Sequence, residues 1–177
     1  MNILFIVGSE RKESFNRKLS LIAKEYLEEK GAKCTYLDYS DLPFFNQDIE
    51  HPAPQSVSRI RGEIKSADCI WFFTPEYNHS YPAIVKNLVD WLSRKEDGKS
   101  AINGKICAVS GIGGRGKTEE GRKKLIELLS FVSASVITET EGFAANPEAF
   151  GNDMLIISDD DIARVKRQAD TILEKLG

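Results

Sequence analysis

The sequence predicts an α/β fold, a parallel sheet of five short strands with helices on both faces. Three observations predict it. Short apolar, β-rich runs alternate with amphipathic stretches of helical spacing. Runs such as Cys69-Ile70-Trp71-Phe72-Phe73 are apolar at every position, as strands buried on both faces require. Loops bearing Gly or Asn separate the runs, with no internal repeat and no linker long enough to divide the 177 residues, so one domain is expected over 1–177.

Each element follows in order. Asn2–Val7 is an apolar first strand, and the polar stretch Gly8–Ser14 is a loop. Phe15–Lys30 is a helix, with Leu19, Ile22, Ala23, Tyr26 and Leu27 at helical spacing, and Gly31 supplies the positive φ of a C-cap. Lys33–Leu37 is the second strand, Pro43–Pro54 a loop, and Gln55–Ser66 a helix with Val57, Ile60 and Ile64 on one face. Ala67–Phe73 is the third strand and Thr74–Tyr81 the loop after it. The third helix starts at about Pro82, where a missing N–H is harmless. Lys105–Ser110 is the fourth strand, Gly111–Lys117 a glycine-rich loop, Thr118–Phe131 a helix and Ala134–Thr138 a short fifth strand. Ser158 caps the last helix, Asp159–Leu176, whose first-turn aspartates meet the positive end of the helix dipole.

Composition narrows the function. Apolar content of 41% and charged content of 29% are globular values. No apolar run approaches the ~18 residues of a membrane span. The first residues lack a basic leader and a small-residue cleavage site, so no signal peptide is expected. A net charge of −3 gives no general attraction to nucleic acid. Two histidines and the three cysteines, Cys34, Cys69 and Cys107, lack the spacing of a metal site or a disulfide framework. All three cysteines fall in predicted strands and read as small core hydrophobes in a reduced, cytoplasmic setting. A chain so poor in histidine points to chemistry carried by a cofactor.

In open parallel sheets, ligands bind at the carboxyl ends of the strands. Three loops lie there. Gly8-Ser9-Glu10-Arg11-Lys12-Glu13-Ser14-Phe15-Asn16 offers hydroxyls, an amide, a guanidinium and the free N–H groups of a helix start, a set that suits phosphate. The plainer alternative is that Ser14 only caps the helix. Thr74-Pro75-Glu76-Tyr77-Asn78-His79-Ser80-Tyr81-Pro82 forms a stiff, aromatic lip suited to a flat heteroaromatic ring, or simply a Pro-rich turn with His79 at its surface. Gly111-Ile112-Gly113-Gly114-Arg115-Gly116-Lys117-Thr118 matches the triphosphate-loop pattern G-x-x-x-x-G-K-[ST] and also contains G-x-G-x-x-G. The strands lack the Asp that would organise Mg²⁺, and Glu139 is only a loose match to the acidic residue a dinucleotide fold wants. The preferred reading is that this loop's backbone lines the same pocket as the other two.

At this point the sequence resembles the NAD(P)H-dependent FMN reductase family of the flavodoxin-like fold. The resemblance is carried by Gly8-Ser9-x-Arg11-x-x-Ser14-x-Asn16-x-x-Leu19, Leu42-Pro43-x-Phe45-Asn46-x-Asp48-x-Glu50, and Ser110-Gly111-x-Gly113-Gly114. Its most specific part is Thr74-Pro75-Glu76-Tyr77-Asn78-His79-Ser80-Tyr81-Pro82-Ala83-x-x-Lys86-Asn87-x-x-Asp90-Trp91-Leu92-Ser93. The Arg115-Gly116-Lys117-Thr118 ending departs from the family pattern, and residues Asn146 to Asp153 carry no readable motif.

The resemblance implies a flavodoxin-like three-layer sandwich with a five-stranded parallel sheet in order 2-1-3-4-5. It implies that Ser9, Arg11, Ser14 and Asn16 hold the FMN phosphate. Pro75, Glu76, Tyr77 and Asn78 would run along the isoalloxazine and ribityl, partly through backbone groups, and Ser110, Gly111 and Gly113 would approach the pyrimidine end. Asn87 and Asp90 would fix loops, and Trp91 would pack in a core or subunit contact.

The expected activity is a two-electron reductase. NADPH or NADH passes a hydride to FMN N5, and a small acceptor such as a flavin, quinone, azo compound, nitroaromatic or metal oxyanion takes the electrons. No protein nucleophile, base or metal is required. Expected partners are that acceptor and further copies of the chain, as homodimer or homotetramer, with no nucleic acid or membrane. A flavodoxin-type carrier of electrons to a protein partner is the alternative; a P-loop phosphotransferase using Gly111–Thr118 is a further one.

Overall fold

A computed structural model of the chain describes residues 1–96 and 98–177. In chain order the elements are β1 (Asn2–Val7), α1 (Phe15–Glu29), β2 (Lys33–Tyr36), a 3₁₀ turn (Gln47–Ile49), α2 (Gln55–Ser66), β3 (Cys69–Phe73) and α3 (Ala83–Ser93). Then come β4 (Lys95–Glu96), β5 (Lys99–Ser100), β6 (Ile106–Gly113), α4 (Glu119–Phe131), β7 (Ser135–Val136), β8 (Glu141–Ala144), α5 (Ala149–Asn152) and α6 (Asp159–Leu176).

The main sheet is parallel throughout, in the order β2-β1-β3-β6-β7, with β8 also paired to β6. β6 and β7 are the predicted fourth and fifth strands, so the order is the expected 2-1-3-4-5. Strand alternation assigns the two faces. Ile3, Phe5, Trp71, Phe73 and Ala108 face α1 and α6, where they meet Leu19, Ala23, Leu27, Val165, Ala169 and Ile172. Leu4, Ile6, Ile70, Phe72, Cys107 and Val109 face α2, α3 and α4, where they meet Ile60, Ile64, Leu88, Val89, Leu125 and Leu129. Full burial of each Val, Leu, Ile or Phe side chain among these contributes about 1.5–3 kcal/mol before entropy is counted.

The helix ends follow their sequence signals. Ser14 Oγ accepts the Arg17 N–H at 3.3 Å, and Ser158 Oγ accepts the Asp161 N–H at 3.2 Å. Gly31 stands at φ +83°, and the Ala32 N–H returns to the Leu27 carbonyl at 3.0 Å.

Two departures bear on the site. β6 does not stop at Ser110 but runs to Gly113, because Ser110–Gly113 pair with Glu141–Ala144 of β8. The fifth position is therefore split: β7 pairs with the start of β6, and β8, which sequence reading leaves unassigned, pairs with its end. The short helix α5 lies in the stretch whose sequence carries no motif.

Candidate functional site

At the carboxyl end of the sheet the three loops enclose a cavity of about 270 Å³. Its wall is built from Ser9, Arg11, Ser14, Phe15 and Asn16, from Pro75, Glu76 and Tyr77, and from Ile112, Gly113, Gly114, Gly116, Lys117 and Thr118, with Phe150 at its edge. A second cavity of about 290 Å³ adjoins it on the β2 side of the first loop, reaching Leu37–Ser40.

The first loop leaves β1 through Gly8, whose N–H donates to the Phe73 carbonyl at 2.8 Å. Close approach requires the glycine: a Cβ there would stand 2.9 Å from Val85 Cγ2. Ser9 Oγ accepts the Arg11 N–H at a long 3.4 Å, and Ser14 Oγ caps α1 as an acceptor. Arg11 lies over the Phe15 ring, 4.8 Å from its centroid, and is ion-paired with Asp153. Lys18 Nζ donates to the Asp153 carbonyl at 2.9 Å, and Phe150 meets Phe15 edge-on at 5.4 Å. The segment without a motif thus folds onto the first loop.

Asn16 lines the cavity and has a structural task as well. Its side-chain amide donates to the Ile112 carbonyl and accepts the Ile112 N–H, both at 3.0 Å. It reaches the cavity wall, but its hydrogen bonds staple the first loop to β6.

The second loop is a tight turn. Tyr77 and Ser80 exchange backbone hydrogen bonds of 2.9 and 3.1 Å across Asn78 and His79, which stand at φ 51° and 58°. Two consecutive positive φ values are the hairpin turn that favours Asn at its first central position. Asn78 therefore sits at the tip, outside the cavity wall, while Pro75 and Tyr77 line it. Glu76 Oε2 accepts the Gly121 N–H at 2.9 Å, so this carboxylate caps α4 and ties the second loop to the third. His79 is exposed, 3.7 Å from Glu76 Oε1.

In the third region Gly113 lines the cavity; Ser110 and Gly111 do not. Ser110 Oγ accepts Trp71 Nε1–H at 2.8 Å and donates to Gln168 Oε1 at 2.5 Å, so it faces the α6 side of the sheet. Thr118 fills the space above Gly111 and Gly113, and its buried hydroxyl has no hydrogen-bond partner among the described residues.

Supporting contacts hold the Pro43–Pro54 loop against α3. Asn87 Nδ2 donates to the Pro43 carbonyl at 2.9 Å while its Oδ1 accepts the Phe45 N–H at 2.7 Å, and Trp91 Nε1 donates to the same carbonyl at 2.8 Å. Asp90 instead takes Lys86, four residues before it on α3. Ile112, Gly114, Gly116, Lys117 and Thr118 lie in the loop whose backbone is expected to line this pocket, and they do line it, whereas Phe15 and Phe150 carry no site role in the sequence. The P-loop-like spacing marks three of these, Gly116, Lys117 and Thr118; nothing marks Phe150.

The donor set fits a flavin mononucleotide. The Ser9 and Ser14 hydroxyls, the Arg11 guanidinium and the α1 N-terminus line the cavity together with the glycine backbone of the third region. Among the described residues no cluster of His, Cys, Asp or Glu could hold a metal ion, and no helix is long and apolar enough to cross a membrane.

Comparison with known proteins agrees with that geometry. Residues 1–147 match the family model described as NADPH-dependent FMN reductase. The chain is 40% identical over 133 residues to a quinone reductase of Pseudomonas putida, covering 72% of this chain and 70% of that protein. It is 32% identical over 143 residues to an NAD(P)H-dependent FMN reductase of Pseudomonas aeruginosa, covering 80% of this chain and 76% of that one. The solved structure of a flavoenzyme NAD(P)H:(acceptor) oxidoreductase from Paracoccus denitrificans superposes with a TM-score of 0.87 at 29% identity, over 99% of this chain and 96% of that one.

Proposed function

The chain belongs to the NADPH-dependent FMN reductase family and is an FMN-dependent oxidoreductase with NAD(P)H as donor and a small molecule as acceptor; from that premise we propose that the acceptor is a quinone. The convergence of three strand-end loops on one cavity supports the flavin reading. In this reading the cofactor carries the redox chemistry and the wall supplies binding and orientation. The relatives named quinone reductase support the acceptor class.

FMN, when bound, supplies hydride acceptance from NAD(P)H and onward transfer of the electrons. The protein's part is binding and orientation. Ser9, Ser14 and Arg11, with the free N–H groups of α1, hold the phosphate. Pro75 and Tyr77 flank the ring system, and the glycines at 113, 114 and 116 let backbone close to it. Asn16 and Glu76 act at one remove, fixing the first loop to β6 and the second to α4.

We place the enzyme in the cytoplasm, one domain over 1–177, as a homodimer or homotetramer. Three free, buried cysteines suit a reducing compartment. Phe44, 82% exposed on the loop that Asn87 and Trp91 hold, suits a subunit contact.

The test is quinone-dependent oxidation of NADPH or NADH by the FMN-loaded protein alone. Turnover without a second protein supports the reductase reading; FMN binding without nicotinamide oxidation would indicate an electron carrier.

A further inference from the structure

The Gly111–Thr118 run keeps the spacing of a triphosphate loop but uses its parts differently. A Cβ on Gly113 would stand 2.9 Å from Thr118 Cγ2, and one on Gly111 would collide with the Thr118 hydroxyl and the Thr74 carbonyl. These two glycines therefore make room for Thr118. In β8, Gly142 does the same for the Lys117 carbonyl and the Arg122 guanidinium. The start of α4 is not open to a polyphosphate either. Glu76 already caps it at Gly121, and Glu119 and Glu120 occupy its first turn. Three carboxylates there oppose an anion.

What the loop does is hold Lys117 at the cavity wall. Lys117 and Thr118 stand at φ 50° and 56°, a left-handed conformation that costs roughly 1–2 kcal/mol per non-glycine residue. Thr118, keyed over the two glycines, keeps that turn in place. Two cations line the cavity, Arg11 and Lys117. Arg11 is paired with Asp153, whereas Lys117 is exposed and has no carboxylate within ion-pair distance among the described residues.

We propose that Lys117 is the cation that stabilises the negative charge of the reduced cofactor and thereby sets its reduction potential; the inference rests on the FMN reading above. The balance is simple. A hydride from NAD(P)H brings two electrons and one proton to the neutral ring, which becomes an anion, while the nicotinamide leaves as NAD(P)⁺. An ammonium in the same cleft favours the charged product over the neutral starting ring. Its effect therefore falls on the potential rather than on binding of oxidised FMN.

The experiment compares wild type with Lys117→Gln, which keeps reach without charge, and Lys117→Arg, which keeps charge. Oxidised-FMN affinity is read by fluorescence quenching, and the midpoint potential by reductive titration against a reference dye. Lys117→Gln is expected to bind oxidised FMN within about twofold of wild type. It should lose about tenfold in preference for reduced FMN, which is a potential about 30 mV more negative for a two-electron couple. Lys117→Arg should recover most of that shift. An unchanged potential in Lys117→Gln would overturn the proposal. So would an equal shift in both variants, or loss of oxidised FMN from both, since each outcome points to a structural role. A wild-type protein that binds no FMN removes the underlying reading as well, whereas a failure seen only in the variants removes this inference alone.

Discussion

Arg11 and Asn16 stand five residues apart in one motif, yet the structure gives them different kinds of work. Arg11 is half-exposed and held by a carboxylate it would exchange for a phosphate. Arg11→Ala is expected to weaken FMN binding about 10- to 100-fold, the size of a charge-assisted hydrogen bond of roughly 1.5–3 kcal/mol. Asp153→Asn frees the guanidinium from a surface ion pair of about 0–1 kcal/mol, so binding should tighten a few-fold at low salt and less at high salt. Titration of both variants by flavin fluorescence checks the pair. Asn16→Ala leaves the Ile112 N–H and carbonyl buried without partners, at about 1–3 kcal/mol. Thermal unfolding without FMN should show that loss, which a pure phosphate ligand would not. The residue types and spacing of this loop were legible in the sequence, but the direction of each side chain was not. Asn16 finds its partner 96 residues away, and no local pattern encodes that.

At the scale of elements, the strands and helices that pack along their whole length were the readable ones. β1 and β3 announce themselves as unbroken apolar runs, and α1 and α6 through their caps. The end of β6 was not readable, because Gly111 and Gly113 look like loop residues until β8 is beside them and Thr118 is seated above them. β8 itself offers only Phe143 as a bulky apolar residue between glycine and alanines. Its place is set by pairing, not by propensity. The same crowding makes a prediction. Gly111→Ala drives a methyl into Thr118 and the Thr74 carbonyl, so it should destabilise the fold by about 1–3 kcal/mol and lower FMN affinity. Gly114→Ala meets open space on the same loop and should be far milder. Denaturant melts of the two variants, read beside FMN titrations, separate crowding from a general intolerance of the loop to change.

Across the whole molecule, the cysteines test the core from both sides of the sheet. Cys34 and Cys69 face α1 and α6, and Cys107 faces the other layer. Burial pushes the Cys34 thiol up to about 11 and the Cys69 thiol up to about 12, and Cys107 further in the same direction. Native protein at pH 8 should therefore resist a thiol reagent that labels all three sites once it is unfolded. The linkage has a definite sign. Thiols held protonated in the fold ionise more readily in the unfolded chain, whose ordinary value is 9.0. Their contribution is complete below that value and is lost as pH rises toward 11 to 12. Denaturant midpoints should fall through that alkaline range, and less steeply in Cys34→Ser.

The most direct test of the whole account is anaerobic rapid mixing of the FMN-loaded protein with NADPH or NADH, followed by a quinone. The oxidised-flavin absorbance should bleach with one of the two nucleotides and return when the quinone is added, with no other protein present. Failure of the purified chain to bind FMN, or a bound flavin that neither nucleotide bleaches, would contradict it.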